Sequence, residues 1–492
     1  VKQSLQNAQD IKRDSDTFVD AVSASDIGAL PDRSVLEAMQ RIPGVSIERF
    51  AAADDPDHFS VEGSGVVIRG LTQTRSEFNG RDAFTANSGR GLSFQDVPPE
   101  LMGSVEIFKN QTADMVEGGI SGTVNLKTRK PFDSNDRVIA FTLDGTYSDF
   151  AEEITPAGSI LFSDVWETRA GRFGLLLNVA ASNMKARTDG VQVDLYIPRT
   201  NIDAEGNPIE DGNTIFIPRG ANVRTQEHDR DREGYAAALQ WANPDDTIIV
   251  TGEIIRSEST NSWVEHAIEF QDQDYEYQVY ANPDYDFGVD SNGYFTHGHL
   301  VVDYGSKYRF EQDGAAVGDA ATRAPTGLFG GKYAAVTRSA ENTNLVTDYA
   351  LNVVFKPTDK LSINADLQYV EAEVDNLDLS VANGFFAETA IDLRGSVPKV
   401  GFSDPFAVNP LASPATGNHL ASPSSYFLRS AMDHIEASKG DSTAFAMDFD
   451  YEIDSSFFTS IESGFRIASR EQENKWAIYN WKALSEAWTN WG

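Results

Sequence analysis

Between Val138 and Asp149 apolar Ile139, Phe141, Leu143 and Tyr147 are separated by Thr142, Asp144, Thr146 and Ser148. A period of two describes a strand with one apolar and one polar face. The same alternation returns at Tyr235, Ala237, Leu239 and Trp241. It recurs at Leu345, Tyr349, Leu351, Val353 and Phe355, at Leu361, Ile363, Ala365, Leu367 and Tyr369, and at Phe445, Met447, Phe449 and Tyr451. It predicts about nine strands, near 137–149, 157–167, 172–186, 226–241, 247–259, 339–355, 361–374, 441–453 and 456–470.

The connections alternate in length. Short turns fall at Arg169-Ala170-Gly171, Asn243 to Asp246, Lys356 to Lys360 and Asp454 to Ser456, whereas long excursions fill 187–225, 260–338 and 375–440. Short turns on one rim and long loops on the other are the plan of an outer-membrane β-barrel. A soluble sandwich alternates as well, but strands of about 12–16 residues are long for one. Tyr147, Trp166, Trp241, Phe355, Tyr369, Tyr451 and Phe457 cluster near strand ends, as interface girdles require. An odd strand count does not close a bacterial barrel. The chain is therefore read as the front part of a longer protein.

Residues 1–132 differ in kind. Ser34 and Glu37, with Asp32 ahead and Leu36, Met39 and Ile42 on one face, predict a short capped helix that stops at Pro43-Gly44. Short strands are predicted at Val45–Ile47, Val66–Ile68, Ser104–Phe108 and Gly122–Leu126. Charge divides the chain at the same place: residues 1–132 carry a net −5 and residues 133–492 a net −30. The total of −35 argues against nucleic acid as a partner, which needs a cationic surface. There is no cysteine, so thiolate chemistry, disulfides and cysteine metal sites are excluded. The most apolar run, Phe173 to Ala181, is too short for a membrane-spanning helix.

A resemblance enters with the blocks Leu36-Glu37-Ala38-Met39-Gln40-Arg41-Ile42-Pro43-Gly44-Val45, Val67-Ile68-Arg69-Gly70-Leu71, Asn79-Gly80-Arg81, Val105 to Asn110 and Glu117 to Pro131. In this order they resemble the plug domain of TonB-dependent outer-membrane receptors. Leu92 to Leu101 is similar to the branch found in Caulobacter- and Xanthomonas-type proteobacteria, several members of which are associated with sugar uptake. The resemblance implies a barrel of the 22-stranded type with an α+β plug in its lumen. It implies a mobile N-terminal periplasmic segment over 1–25, a plug over 26–132, and the N-terminal part of the barrel over 133–492. The implied function is active transport of a scarce nutrient across the bacterial outer membrane, driven by TonB with ExbB and ExbD in the periplasm. Outer-membrane lipid and lipopolysaccharide are the implied surroundings, and neither a cofactor nor catalysis is implied. A ferric-siderophore receptor, a surface adhesin and a barrel enzyme are the rivals; no Ser-His-Asp order or nucleophile elbow supports the last.

The resemblance places Arg69 at the plug centre, either as a buried guanidinium paired with an acid such as Glu106 or as a latch to the barrel wall. Gly70, Gly118 and Gly119 are expected to supply turns and close approach. Arg75, Glu77, Asn79, Arg81, Asp82 and Arg90 lie where the family's apical loops meet substrate, and such side chains suit sugar hydroxyls; an ordinary solvated loop reads the same way. Trp263, Tyr275 and Tyr277 belong to an aromatic stretch that suits either an oligosaccharide platform or self-packing. Asp272, Asp274 and Glu276 are a calcium candidate without the spacing of an EF-hand loop. Residues 260–338 hold 12 acids to 5 bases, favouring a carbohydrate over an anionic chelate. His297-Gly298-His299 puts two rings on one strand face with no third ligand evident.

Overall fold

The computed structural model describes residues 8–13, 15, 17–23, 34–52, 55–87, 91–200, 214–270, 279–281, 285–303, 311–312, 315–316, 328–329, 331–404, 419–453, 455 and 457–484. Its N-terminal domain is built on β1 (Val19–Ser23), helix α1 (Val35–Met39), β2 (Val45–Glu48), β3 (Gly65–Ile68), β4 (Thr74–Phe78), β5 (Arg81–Asp82), β6 (Met102–Phe108) and β7 (Gly122–Thr128). Ser34 caps α1 as predicted, its hydroxyl accepting from the Glu37 amide at 3.2 Å. The sheet order is β1-β6-β7-β4-β5, with β4 and β7 parallel, and β2 pairs with β3 apart from it. Leu36, Met39, Ile68, Phe78, Leu101, Ile107 and Leu126 fill the core between helix and sheet. Residues 19–23 correct the expectation of a mobile segment up to residue 25. They form the edge strand of this sheet because Val19 and Val22 reach buried positions on it.

A turn of 3-10 helix at Pro131–Asp133 leads into nine long antiparallel strands in chain order: β8 (Val138–Ser148), β9 (Glu153–Thr168), β10 (Gly171–Val193), β11 (Ala221–Ala242), β12 (Ile248–Phe270), β13 (Gly331–Thr358), β14 (Leu361–Asp392), β15 (Phe427–Glu452) and β16 (Ser460–Glu473). All nine predicted strands are present and six run well beyond their predicted ends. Residues 187–193, 221–225, 260–270, 331–338, 375–392 and 427–440 are strand where long loops were expected. Hydropathy alternation gives way to alternation of charge in Arg224 to Glu233, whereas Leu377, Leu379 and Val381 still alternate on the outer face of β14. Among the described residues β8 and β16 do not pair with each other, so the sheet is open.

One face is polar and buried. The other exposes Phe141, Leu143, Ile160, Leu177, Leu239, Leu351, Leu367 and Ile467 in a continuous belt. At the long-loop rim a hairpin of Tyr196–Thr200 and Thr214–Pro218 joins strands Phe295–Asp303 and Lys399–Ser403. Ile197, Ile215, Ile217, Phe295, Phe385 and Ile391 form a second apolar core there.

Candidate functional site

The N-terminal domain lies against the buried face of the sheet, where Ala180, Ala236, Ile255, Val346 and Val370 join its apolar core and charged side chains make the anchors. Burial would raise the Glu62 carboxyl, but Arg232 and Arg230 outweigh it and hold Glu62 below the ordinary carboxylate range. Arg230 Nη1 donates to Glu62 Oε2 at 2.7 Å, and Arg232 Nη2 bonds the same oxygen while its Nε donates to the Gln95 carbonyl at 2.7 Å. Next to it Asp96 accepts from Asn344 Nδ2 at 2.9 Å, and the Asp96 carbonyl accepts from the Ser257 hydroxyl at 2.9 Å. Burial pushes the Asp96 carboxyl up despite Arg230 and Arg232 nearby. Higher on the wall, His58 Nε2 lies 3.0 Å from Glu265 Oε2, and Arg224 Nη1 is 3.5 Å from that oxygen.

A second anchor sits at the β4–β5 turn. Asn79 and Gly80 take left-handed backbone, with φ of 50° and 81°, which makes this reversal tight enough to aim Arg81 at the wall. Arg81 Nε donates to Asp366 Oδ1 and Nη2 to Glu253 Oε2, each at 2.9 Å, so one guanidinium ties β14 to β12. Asn79 Nδ2 reaches Glu253 Oε1 at 3.0 Å, and its carbonyl oxygen accepts from the Thr128 amide at 2.9 Å. Gln368 Nε2 adds a bond to the Asp82 carbonyl at 3.0 Å, and Gln472 Nε2 one to Ala86 at 3.0 Å.

Of the substrate-contact candidates, Arg75, Glu77 and Asp82 come together: Arg75 Nε donates to Glu77 at 3.0 Å and Nη2 lies 3.1 Å from Asp82. Burial raises the Glu77 carboxyl against the pull of Arg75. Asn79 and Arg81 face the wall instead. Trp263 stands on the inner wall above, with the Arg338 guanidinium 4.9 Å from its ring centre and Arg338 bonded to Asp378. Arg90, Tyr275, Tyr277, Asp272, Asp274 and Glu276 lie outside the described residues.

The expected buried pair of Arg69 and Glu106 is not formed. Arg69 is exposed at a left-handed turn (φ 53°) that swings it off the sheet, where Nη1 donates to the Lys109 carbonyl at 2.8 Å. Glu106 is buried and pairs with Lys127 at 2.7 Å. Gly70 and Gly118 have φ of 82° and 125°, and a Cβ on Gly119 would come within 2.5 Å of the Gly122 carbonyl. His299 pairs with Glu388 at 2.6 Å and His297 lies 3.5 Å from Asp286, so each has its own acid. Among the described residues no three His, Asp or Glu side chains are grouped to hold a metal.

Glu62, Arg230, Arg232, Glu253 and Asp366 escaped the sequence reading. The signal was available in Arg224 to Glu233: on a strand, Arg224, Gln226, His228, Arg230 and Arg232 share one face while Glu227, Asp229, Asp231 and Glu233 share the other. The alternation there is in charge, not hydropathy.

Residues 11–123 match the family described as TonB-dependent Receptor Plug Domain. No curated protein matches the sequence. Among solved structures, the siderophore receptor PirA from Pseudomonas aeruginosa is 12% identical, with 92% of this chain and 80% of that one covered and a TM-score of 0.27. The unliganded ferric citrate transporter FecA is 10% identical, covering 94% and 90%, with a TM-score of 0.28. The alcaligin outer-membrane receptor FauA from Bordetella pertussis is 10% identical, covering 96% and 81%, with a TM-score of 0.30. The N-terminal domain matches the plug of TonB-dependent receptors, and buried charges together with apolar side chains seat it against the inner face of a nine-stranded antiparallel sheet.

Proposed function

We propose that the protein imports a scarce solute across the bacterial outer membrane, with TonB, ExbB and ExbD supplying the energy from the periplasmic side. The observation that carries this reading is the plug's seat: a separate domain pinned by ionic contacts inside a sheet whose other face is apolar. Exposed apolar surface on that scale suits lipid, since soluble proteins rarely leave so large a patch open. The ionic seam suits a plug that must be retained at rest and displaced under load. The long-loop rim then faces outward, and the solute meets the loops and Trp263 first, with Arg75, Glu77 and Asp82 deeper, at the level of Gln368 and Arg466.

The solute is an oligosaccharide. Arg224 pairs with Glu265 and Arg338 with Asp378 on this inner surface, while Arg230 and Arg232 share the plug's Glu62, which leaves all four poor hosts for an anionic ferric chelate. Trp263 supplies an apolar ring of the kind that stacks on sugar C–H faces. The likeness of Leu92 to Leu101 to receptors associated with sugar uptake points the same way.

Uptake of labelled oligosaccharides and ferric siderophores by cells with and without the gene tests this, in TonB-competent and TonB-deficient backgrounds. TonB-dependent oligosaccharide uptake is expected. Iron-regulated uptake with no sugar phenotype would replace the carbohydrate reading with the siderophore one.

A further inference from the structure

Above the plug's seat the inner wall carries a polar row. Arg230, Asn261, Asn342, Asn376 and Glu436 are successive cross-strand partners on β11 to β15, and Trp476, just past β16, pairs with Glu436 in the same line. Opposed residues share a face and every second residue returns to it. The row therefore faces inward with Ile255, Val346 and Val374, which belong to the plug's core. One row toward the short turns, Arg232 and Asn344 are held by the plug's Glu62 and Asp96, so this row is the next one up.

Much of its bonding capacity is unused. Arg230 is taken by Glu62, and Glu436 accepts from the Ser438 hydroxyl at 2.8 Å. The Asn261 carbonyl oxygen accepts from Arg230 Nε at 3.3 Å and that of Asn342 from Asn344 Nδ2 at 2.7 Å, which leaves both amide nitrogens without a partner among the described residues. Asn376 is half-buried and its side chain has no partner among them at all.

A carboxamide both donates and accepts, as a sugar hydroxyl does. Neighbouring strands lie about 4.8 Å apart, close to the length of one pyranose in an extended, equatorially linked chain. A glycan laid across the strands thus meets one amide per sugar. Aromatic rings mark both ends: Trp476, with its ring centre 6.4 Å from that of His434, and Trp263, two residues further up β12 than Asn261 on the same face. The row's one cation is already paired, which suits a neutral ligand.

We propose that this row is a subsite for a neutral, unbranched oligosaccharide in extended form, lying across β12 to β15 on top of the plug, with Asn376 reading its hydroxyls at the centre. The assignment rests on the oligosaccharide reading and deepens it. Strand spacing then selects the linkage, because a coiled chain falls out of step with the amides.

The test is calorimetric titration of the intact protein with extended cello-, xylo- and N-acetylchito-oligosaccharides of increasing length, against coiled malto-oligosaccharides and a ferric siderophore. One extended series is expected to tighten with each added sugar up to about five, the row positions from Asn261 to Trp476, and then level off. Asn376→Leu is expected to weaken its longest members roughly tenfold. Trp476→Ala, at the end of the row away from Glu62, is expected to do the same without touching the plug's anchors, whereas Asp375→Asn on the outer face changes nothing. Equal binding by wild type and both row variants, no gain with chain length, or malto-oligosaccharides bound as tightly would each overturn the subsite and leave the oligosaccharide reading standing. No binding of any sugar, with or without the siderophore, would overturn that reading and the subsite with it.

Discussion

Glu62 is a carboxylate shared by two guanidinia out of reach of water, and removing one member of such a group costs more than the group itself contributes. Glu62→Gln leaves Arg230 and Arg232 with an uncompensated charge. The expected loss is about 3–5 kcal/mol of plug docking, read as faster protease cleavage of the plug and a lower midpoint in denaturant. The pH dependence has opposite signs at neighbouring acids. Glu62 is depressed in the folded state, so its contribution is full above the titration range of an unfolded carboxylate and is lost as pH falls through its folded value. Asp96 is raised by burial, so stability instead declines as pH climbs from the unfolded carboxylate value through its raised one. Melts between about pH 3 and 8 are expected to lose the acid-side fall in Glu62→Gln and the higher-pH fall in Asp96→Asn. A matching slope in wild type and Asp96→Asn would show that Asp96 is not charged on unfolding in that range.

At the scale of the elements, the strands were legible wherever one face meets apolar surroundings and the other polar ones. That is why β8, β11 and β14 could be placed from the alternations that run through Phe141, Leu239 and Leu367. The upper parts of β10 to β13 and β15 were hard to read because polar residues interrupt the hydropathy period there, whereas Leu377, Leu379 and Val381 carried on β14's period and were passed over. Arg224 to Glu233 shows what remained, a period carried by the sign of charge. The plug was legible differently, through motif blocks and the Ser34 cap, but the partner of Arg69 was not, since a left-handed turn redirects the side chain without changing the sequence pattern. The wall also records the plug in its small residues. A Cβ on Gly234 would fall 2.4 Å from Leu101 Cδ1 and 2.8 Å from Pro98 Cγ. Gly234→Leu is thus expected to unseat the Pro98–Leu101 segment while β11 still pairs with β10 and β12. Intact β-sheet circular dichroism with a protease-sensitive plug would be the readout, and a plug as resistant as wild type would refute the close fit.

The whole molecule sets apolar surface outside and charge inside, the reverse of a soluble protein. Leu177 is exposed on β10 within the apolar belt, between Phe173 and Val179, so Leu177→Arg is expected to cost about 2–4 kcal/mol of folding in a bilayer but little in aqueous denaturant. Arg187→Leu, above the belt on the same face, is expected to change neither. Denaturant titration in lipid vesicles compares them; equal effects would place the bilayer elsewhere.

The plug also shares hydrogen bonds with six strands, β10 to β14 and β16. These bonds join residues from 78 to 386 positions apart, from Asn178 with Glu100 to Gln472 with Ala86. Contacts so distant along the chain form late and slowly. The seat is therefore expected to close only after the strands it touches have paired with their neighbours, so that fitting the plug completes the fold.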